Sequence, residues 1–368
     1  MTFNERHLTN DKVSDIMTEN TKHPQEYAHI PLSWIGPVKI SGNVMNDEVK
    51  IPLATYETPL WPSCGRGAKV SRMIDTGITC TFVSEKMTRS VIFELATAAD
   101  AVVARDQILG RMDEMKQVVE SSSRFAKLID VHSQIAGRIL IIRFDYLSGD
   151  ASGHNMATLA SERLMTYLMK EMPELGYGSI SGNFCTDKKT SAVNGILGRG
   201  KYIIAEAVIP EPVVRERLRT TAKELATLNE RKNLIGSIMA GSLRSANAHY
   251  ANMLLGFYLA TGQDAANIVE GSQGVTQVEA LDDGSVRFTC TLPNLIVGSV
   301  GNGKGLDFVE ENLRQLGCKE DREPGENARR LAACCAAIVW CGELSLLAAQ
   351  TNPGELMETH VSIERAAK

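Results

Sequence analysis

The chain has 368 residues, 43% hydrophobic and 23% charged, proportions of a globular protein long enough for two domains or one large domain with an insertion. A formal charge of −5, with acids and bases interspersed, argues against the basic patch that binding to a nucleic-acid backbone needs. The opening MTFNERHLTNDKVSDIMTEN is polar and lacks an apolar export run, so a cytoplasmic location is expected.

From Arg89 onward a distinct unit can be traced. SVIFEL (Ser90 to Leu95) reads as a strand, and Ala98 to about Glu120 as one long helix, because Ile108, Met112, Met115 and Val119 recur at three- and four-residue steps. FAKLIDVHSQ and RILIIRFDYL read as two strands joined at Gly137; MATLASERLMTYLMKEM is a second helix, and GYGSIS a short strand. Strand, helix, strand, strand, helix, strand is the βαββαβ order of a ferredoxin-like domain over residues 90–180. Residues 1–89 and 181–368 are then two parts of a larger, mixed helical domain, and the fold class is α+β. In the second part a strand YIIAEAVI, a helix from Pro212 to about Leu228, an apolar helix at NAHYANMLLGFYLA and strands at VRFTCTL and NLIVGSV are expected. Leu331 to Ala349 is apolar enough to suggest a membrane span, but Glu343 near mid-run and the Ala/Cys content favour a buried core helix, so no membrane association is expected. The eight cysteines include no C-x-x-C pair, so neither a zinc site nor a disulfide framework is suggested and no metal is expected.

Several motifs invite a chemical reading. GSVGNGKG from Gly298 fits G-x-x-x-x-G-K, yet Gly305 stands where a nucleotide-binding P-loop needs a hydroxyl, and a glycine turn before a helix is the better reading. GDASGHN (Gly149 to Asn155) lies at a strand-to-helix junction suited to a pyrophosphate, although on these residues alone a tight turn with Asp150 as a helix cap is the favoured reading. In SGNFCTDKKTSAVN (Ser181 to Asn194), Asp187, Lys188 and Lys189 stand among hydroxyls and amides, where an ammonium group can stabilise an oxyanion as a carbonyl is reduced. Spacing alone does not bring Glu57, Asp264 and His360 to these lysines.

SGNFCTDKK, AGRILIIRFDYLSGDASGHNM, GRGKYIIAEAVIP, NAHYANM with ATGQDAAN, and PGENARRLAACCAAIVWCGELSLLAA together resemble the HMG-CoA reductases, and the match runs from about Ile30 to Ala366. The resemblance implies that the ferredoxin-like insertion binds a nicotinamide cofactor and the large domain a thioester, 3-hydroxy-3-methylglutaryl-CoA. It implies catalytic roles for Glu57 in ATYETP, Lys188 in DKK, Asp264 in GQDAAN and His360 in METHVS. Substrate contacts carry over to Arg89, Ser181, Asp187, Lys189 and Asn252, and coenzyme A contacts to Ser63, Arg66 and Lys69 of SCGRGAK. Cofactor contacts carry over to Ser123, Arg124 and Phe125, and to Asp150, Ser152, Gly153 and Asn155. Ser123 and Arg124 suit a 2′-phosphate, so NADPH is implied in preference to NADH.

The implied reaction is the reduction of HMG-CoA to mevalonate and coenzyme A by two NADPH, in a homo-oligomer whose active site is completed between subunits. Three departures stand out. The family's acidic ENxIG motif, part of its subunit contact, is replaced by KHPQEYAHIP; its TTEG reads TYET, placing Tyr56 beside Glu57; and the regulatory serine of eukaryotic relatives is Ala366. A non-catalytic acyl-CoA-binding relative, a reductase of a variant acyl-CoA and an NTPase built on Lys304 are the rival readings.

Overall fold

The computed structural model of the chain describes residues 28–121, 123, 125–358 and 361. His360 and Arg124 therefore lie outside the described residues. Met1–Pro31 and Leu32–Lys368 are separate units, and the site residues belong to the second.

That unit opens with β1 (Leu32–Gly42) and β2 (Asp47–Ala54), an antiparallel pair whose apolar residues turn inward at Ile51 and Leu53. Helix α1 (Leu60–Arg72) buries Leu60, Cys64, Gly67, Ala68 and Ser71 on one face, the three- and four-residue spacing of a core-facing stripe. Strand β3 (Ile78–Glu94) follows and is longer than the SVIFEL run suggested. Its first half pairs parallel with β1; its second half runs on into another set of strands.

The expected single helix after β3 is two, α2 (Ala98–Leu109) and α3 (Met112–Glu120). Thr97 caps the first, its hydroxyl accepting from the Asp100 amide at 3.1 Å. Gly110, a poor helix former, ends it, and Arg111 leaves helical geometry. The expected apolar face survives the break, since Ile108, Met115 and Val119 are all buried. Next come β4 (Lys127–Ala136) and β5 (Ile139–Leu147), paired antiparallel around Gly137 at φ +59, where a two-residue turn needs the left-handed region. Helix α4 (His154–Glu171) and β6 (Gly176–Ser179) complete this stretch. β3 takes β5 on one side and β6 on the other, so the strand order is β4-β5-β3-β6, antiparallel throughout.

After α5 (Ala192–Leu197), β7 (Gly200–Ile209) returns to the first sheet. The helix expected from Pro212 to Leu228 is interrupted: Arg219 is left-handed at φ +56, and Thr221 with Glu224 forms a capping box that starts α6 (Ala222–Leu228) afresh. Helix α7 (Tyr250–Ala260) is the expected apolar helix. β8 (Val275–Ala280), which periodicity did not reveal, pairs with β9 (Val286–Leu295). The strand expected at VRFTCTL is β9, but of the one expected at NLIVGSV only Asn294 and Leu295 belong to it, and Ile296 to Gly298 are not in a strand. Pro293 lies at an irregularity in its register with β7, where the lost donor is tolerated. The sheet order is β2-β1-β3-β7-β9-β8.

Helix α8 (Asp307–Gln315) precedes α9 (Glu326–Thr351), which packs on α1, α7 and β7. By length and composition α9 could cross a membrane, but it is almost wholly buried among these elements and serves as the central core helix. Two hydrophobic cores result: one between the first sheet and helices α1, α7 and α9, the other between the second sheet and helices α2, α3 and α4.

Candidate active site

The loop between β6 and α5 holds the charged motif. Asn183, Thr186 and Lys188 all have positive φ, at +56, +46 and +55. Asn accepts this region readily, but β-branched Thr is strained in it and Lys has no special aptitude for it, so outside contacts must fix the loop. The Cys185 amide donates to Ser90 Oγ at 3.1 Å, Asn194 Nδ2 donates to the Thr186 carbonyl at 3.1 Å, and the Ser191 amide donates to Gln273 Oε1 at 3.2 Å. The Lys188 amide donates to Glu270 Oε1 at 3.1 Å, and the Arg199 guanidinium reaches Asp187 Oδ1 at 2.6 Å.

Held this way, Lys188 places its Nζ 2.7 Å from Asp264 Oδ2. The hydrogen bond that Lys188 donates to Asp264 raises its ammonium above the ordinary value, so it carries its charge across the neutral range. Partial burial pushes the Asp264 carboxyl up, but Lys188 and the Ala266 amide outweigh it and the net shift is downward. Asp187 behaves likewise: burial opposes ionisation, and His154 and Arg199 together hold the carboxyl well below the usual range. Lys188 and Asp264 line a cleft of about 700 Å³ with Arg89, Asp187, Ser152, Gly153, Asn155, His154 and the glycine loop 301–304. Arg89, on β3, donates to Thr158 Oγ1 at 2.7 Å and approaches Ser181 Oγ at 3.5 Å. Lys189 turns its ammonium to the Asp187 carbonyl at 3.1 Å.

The 150–155 loop forms the opposite wall. Gly153 has φ +92 and precedes α4, an 18-residue helix whose first turn has no side-chain cap. Bare amides there favour an anion. Asp150 does cap a helix, though not this one: its two oxygens accept from the Gly325 amide at 3.0 Å and the Ala328 amide at 2.9 Å, at the start of α9. Across the cleft, the G-x-x-x-x-G-K loop also serves its neighbours. Gly298 exchanges hydrogen bonds with Gln263, and the Lys304 ammonium donates to the carbonyls of Gly262 and Asn302. The motif thus cradles the turn that carries Asp264.

Glu57 lines a second cleft, of about 410 Å³, with Ser63, Arg66, His249, Asn252 and Ser345. Asn252 Nδ2 donates to Glu57 Oε2 at 3.0 Å. Ser63 and Arg66 reach from α1 to Ser345 Oγ, each at 3.0 Å. The other side of α1 borders a third cleft, of about 570 Å³, where Arg66, Lys69, Arg72, Arg217 and Arg219 gather beside Trp34 and Trp61, with Glu216 as the one acid. Ser123 makes a turn, its Oγ accepting from the Phe125 and Ala126 amides, and Phe125 is exposed. Asp130, His132 and Asp145 come within metal-ligand reach of one another, but Asp145 already accepts from Lys86 at 2.8 Å and Arg143 at 3.0 Å.

The structure therefore brings Arg89, Ser181, Asp187, Lys188, Lys189, Asp264 and the 150–155 loop together, and places Glu57, Asn252, Ser63 and Arg66 around a separate cleft. Sequence reasoning missed Arg199, Glu270, His249, Arg217 and Arg219. The first two are buried behind the loop, and no spacing rule links them to it.

The chain matches the family model for hydroxymethylglutaryl-coenzyme A reductase over residues 2–365. It is 40% identical to the 3-hydroxy-3-methylglutaryl-coenzyme A reductase of Pyrococcus horikoshii, over 91% of this chain and 81% of that one. It is 39% identical to the enzyme of that name from Methanocaldococcus jannaschii, over 98% and 89%. The class II 3-hydroxy-3-methylglutaryl-CoA reductase of Streptococcus pneumoniae, solved bound to NADPH in open conformations, has the same fold, with a TM-score of 0.71 at 20% identity, covering 93% of this chain and 80% of that one. The chain belongs to the hydroxymethylglutaryl-coenzyme A reductase family.

Proposed function

We propose that this protein reduces 3-hydroxy-3-methylglutaryl-CoA to mevalonate and coenzyme A with two NADPH. The observation that carries the reading is the Lys188–Asp264 pair, 2.7 Å apart in a cleft walled by the bare amides at the start of α4. NADPH, when bound, supplies hydride. The chain's own residues do the rest. Lys188, charged at neutral pH, stabilises the oxygen that gains negative charge as the thioester becomes a hemithioacetal and again as mevaldehyde becomes the alcohol. Asp264 holds that ammonium in place. Glu57, braced by Asn252, supplies a proton, and His360 protonates the departing coenzyme A thiolate.

The residues fit the ligands class by class. Arg89, Ser181, Asp187 and Lys189 cluster beside Lys188, with Arg89 and Lys189 as the cations for a substrate carboxylate. Ser63, Arg66 and Lys69 belong to α1, whose two sides face the Glu57 cleft and the five-cation cleft; coenzyme A phosphates suit the latter. Gly153 has room for no side chain, since a Cβ there would press on Ser148, and with Ser152 and Asn155 it forms a pyrophosphate cradle. Asp150 acts there by anchoring the loop. Ser123, Arg124 and Phe125 are assigned to the 2′-phosphate end, which favours NADPH over NADH.

The strand order β4-β5-β3-β6 with its helices supports a ferredoxin-like cofactor domain over residues 90–180, inserted between residues 1–89 and 181–368 of the substrate domain. Glu57 lies in a different cleft from Lys188 and Asp264 in a single chain, which supports a homo-oligomer whose second subunit completes the active site. A cytoplasmic location without membrane attachment accords with the buried α9.

The test follows NADPH absorbance with HMG-CoA, in wild type and Lys188→Ala. Two NADPH consumed per mevalonate formed, at a rate lower by on the order of 10²- to 10³-fold in the variant, is the expected result. Acyl-CoA binding without turnover would move the reading to a non-catalytic relative.

A further inference from the structure

Lys188 is held in a backbone conformation it does not choose for itself. At φ +55 its Cβ crowds the main chain, and such a residue stays there only where its surroundings over-determine it. The determinant is a pair of buried charges behind the loop. Glu270 is 0% exposed and Arg199 1%, and neither lines the cleft. Glu270 Oε1 accepts the Lys188 amide at 3.1 Å and Asn267 Nδ2 at 2.8 Å, and Arg199 Nε lies 3.5 Å from the same oxygen. The Arg199 fork then ties the loop to β3, reaching the Thr88 carbonyl at 2.9 Å, Thr88 Oγ1 at 2.7 Å and Asp187 Oδ1 at 2.6 Å.

A buried ion pair by itself is weak grounds for a role, because an apolar pair of similar volume often packs as well. Here the carboxylate does what an apolar side chain cannot: it accepts a backbone N–H that the left-handed turn directs inward. We propose that Glu270 is a positioning residue for the reaction, fixing through the Lys188 amide the backbone that presents the Lys188 ammonium to Asp264 and to the cleft. Arg199 braces the same oxygen. The proposal rests on the assignment of oxyanion stabilisation to Lys188. Glutamine matches Glu270 in shape and keeps an oxygen where the Lys188 amide donates, so it is a fair substitute for this one contact.

The test is steady-state kinetics on the full chain with HMG-CoA and NADPH, using Glu270→Ala, Glu270→Gln, Lys188→Ala and the double variant Glu270→Ala/Lys188→Ala. Misplacing a catalytic group by about 1 Å costs on the order of 10²-fold, so E270A is expected to lose roughly that in kcat, with KM for HMG-CoA little changed. E270Q keeps an oxygen for the Lys188 amide and is expected to recover most of the rate. The double variant should be no slower than K188A, because Glu270 acts only through Lys188. Wild-type kcat in E270A, a folded E270Q as damaged as E270A, or losses that multiply in the double variant would each overturn the proposal. Where E270A does not fold, E270D, with its acceptor withdrawn by one methylene, takes its place. Undiminished turnover in K188A would sink the assignment of Lys188 itself, a result separable from any failure at Glu270.

Discussion

Lys188 Nζ lies 2.7 Å from Asp264 Oδ2 while the two side chains remain 41% and 44% exposed. An ion pair so open to water contributes little to stability. Its consequence is chemical: a fixed, charged ammonium at the wall of a cleft. Asp264→Asn replaces the charge-assisted hydrogen bond that raises the Lys188 ammonium with a neutral one and removes the carboxylate's charge, so Lys188 then loses its proton at lower pH than in the wild type. The expected outcome is a kcat lower by on the order of 10²-fold, with the alkaline limb of the pH–rate profile moved toward neutrality. A profile superimposable on wild type would rule out this coupling.

The five-cation cleft beside α1 predicts a salt-sensitive KM. Lys69→Ala and Arg219→Ala should each raise KM for HMG-CoA by roughly three- to fivefold, corresponding to exposed charge contacts of up to about 1 kcal/mol. The effect should shrink as ionic strength rises. Measured with a pantetheine thioester that lacks the nucleotide, KM should not respond to either substitution.

Gly67 is where α1 meets α9 backbone to backbone. A Cβ built there falls on the main chain of Cys341, which has no flexible end to move aside. Gly67→Ala must separate the two helices, and overpacking of this kind costs about 1–3 kcal/mol. Denaturant unfolding should show the midpoint falling, and because Ser63, Arg66 and Lys69 sit on the same helix, KM for HMG-CoA should rise with it.

Burial pushes the Lys304 ammonium down to about 8, from an ordinary 10.5. Between those values the unfolded chain binds the proton that the folded chain has released, so this group's contribution to stability rises with pH across that window. Below pH 8 both states are protonated and the contribution is flat at its least favourable level. Relative to Lys304→Met, the wild type is therefore expected to gain stability from pH 8 to 10, as read by chemical denaturation at each pH. ATP should bind to neither protein, since the Lys304 ammonium is occupied by carbonyls of its own loop and the Asp264 turn.

Elements whose periodicity expressed burial were legible in the sequence: the α4 helix, the β4–β5 pair around Gly137, and α9, whose Glu343 is buried yet satisfied by the Ala248 and His249 amides and Thr276. Legibility failed where a local exception decided the outcome. The Thr221–Glu224 capping box is readable in principle but lies inside an apparently continuous helix, and the strand expected at VRFTCTL runs on past Pro293, where a register irregularity absorbs it. In the site, the charged loop was visible as a cluster of unusual residues. Its support was not, because Glu270 and Arg199 reach it through the fold, and Asp150 showed only that it caps something.

Strand β3 gives the two hydrophobic cores a common mechanical member. Thr79–Lys86 pairs with β7, and Met87–Glu94 pairs with β5, in 17 residues of unbroken backbone without a linker. A hinge between the cores would have to tear ladder hydrogen bonds rather than flex a loop, and melting either core would strip one half of the strand of its neighbours. The cores should thus come apart together, in a single calorimetric transition, and a nucleotide gripped by one half should protect the other.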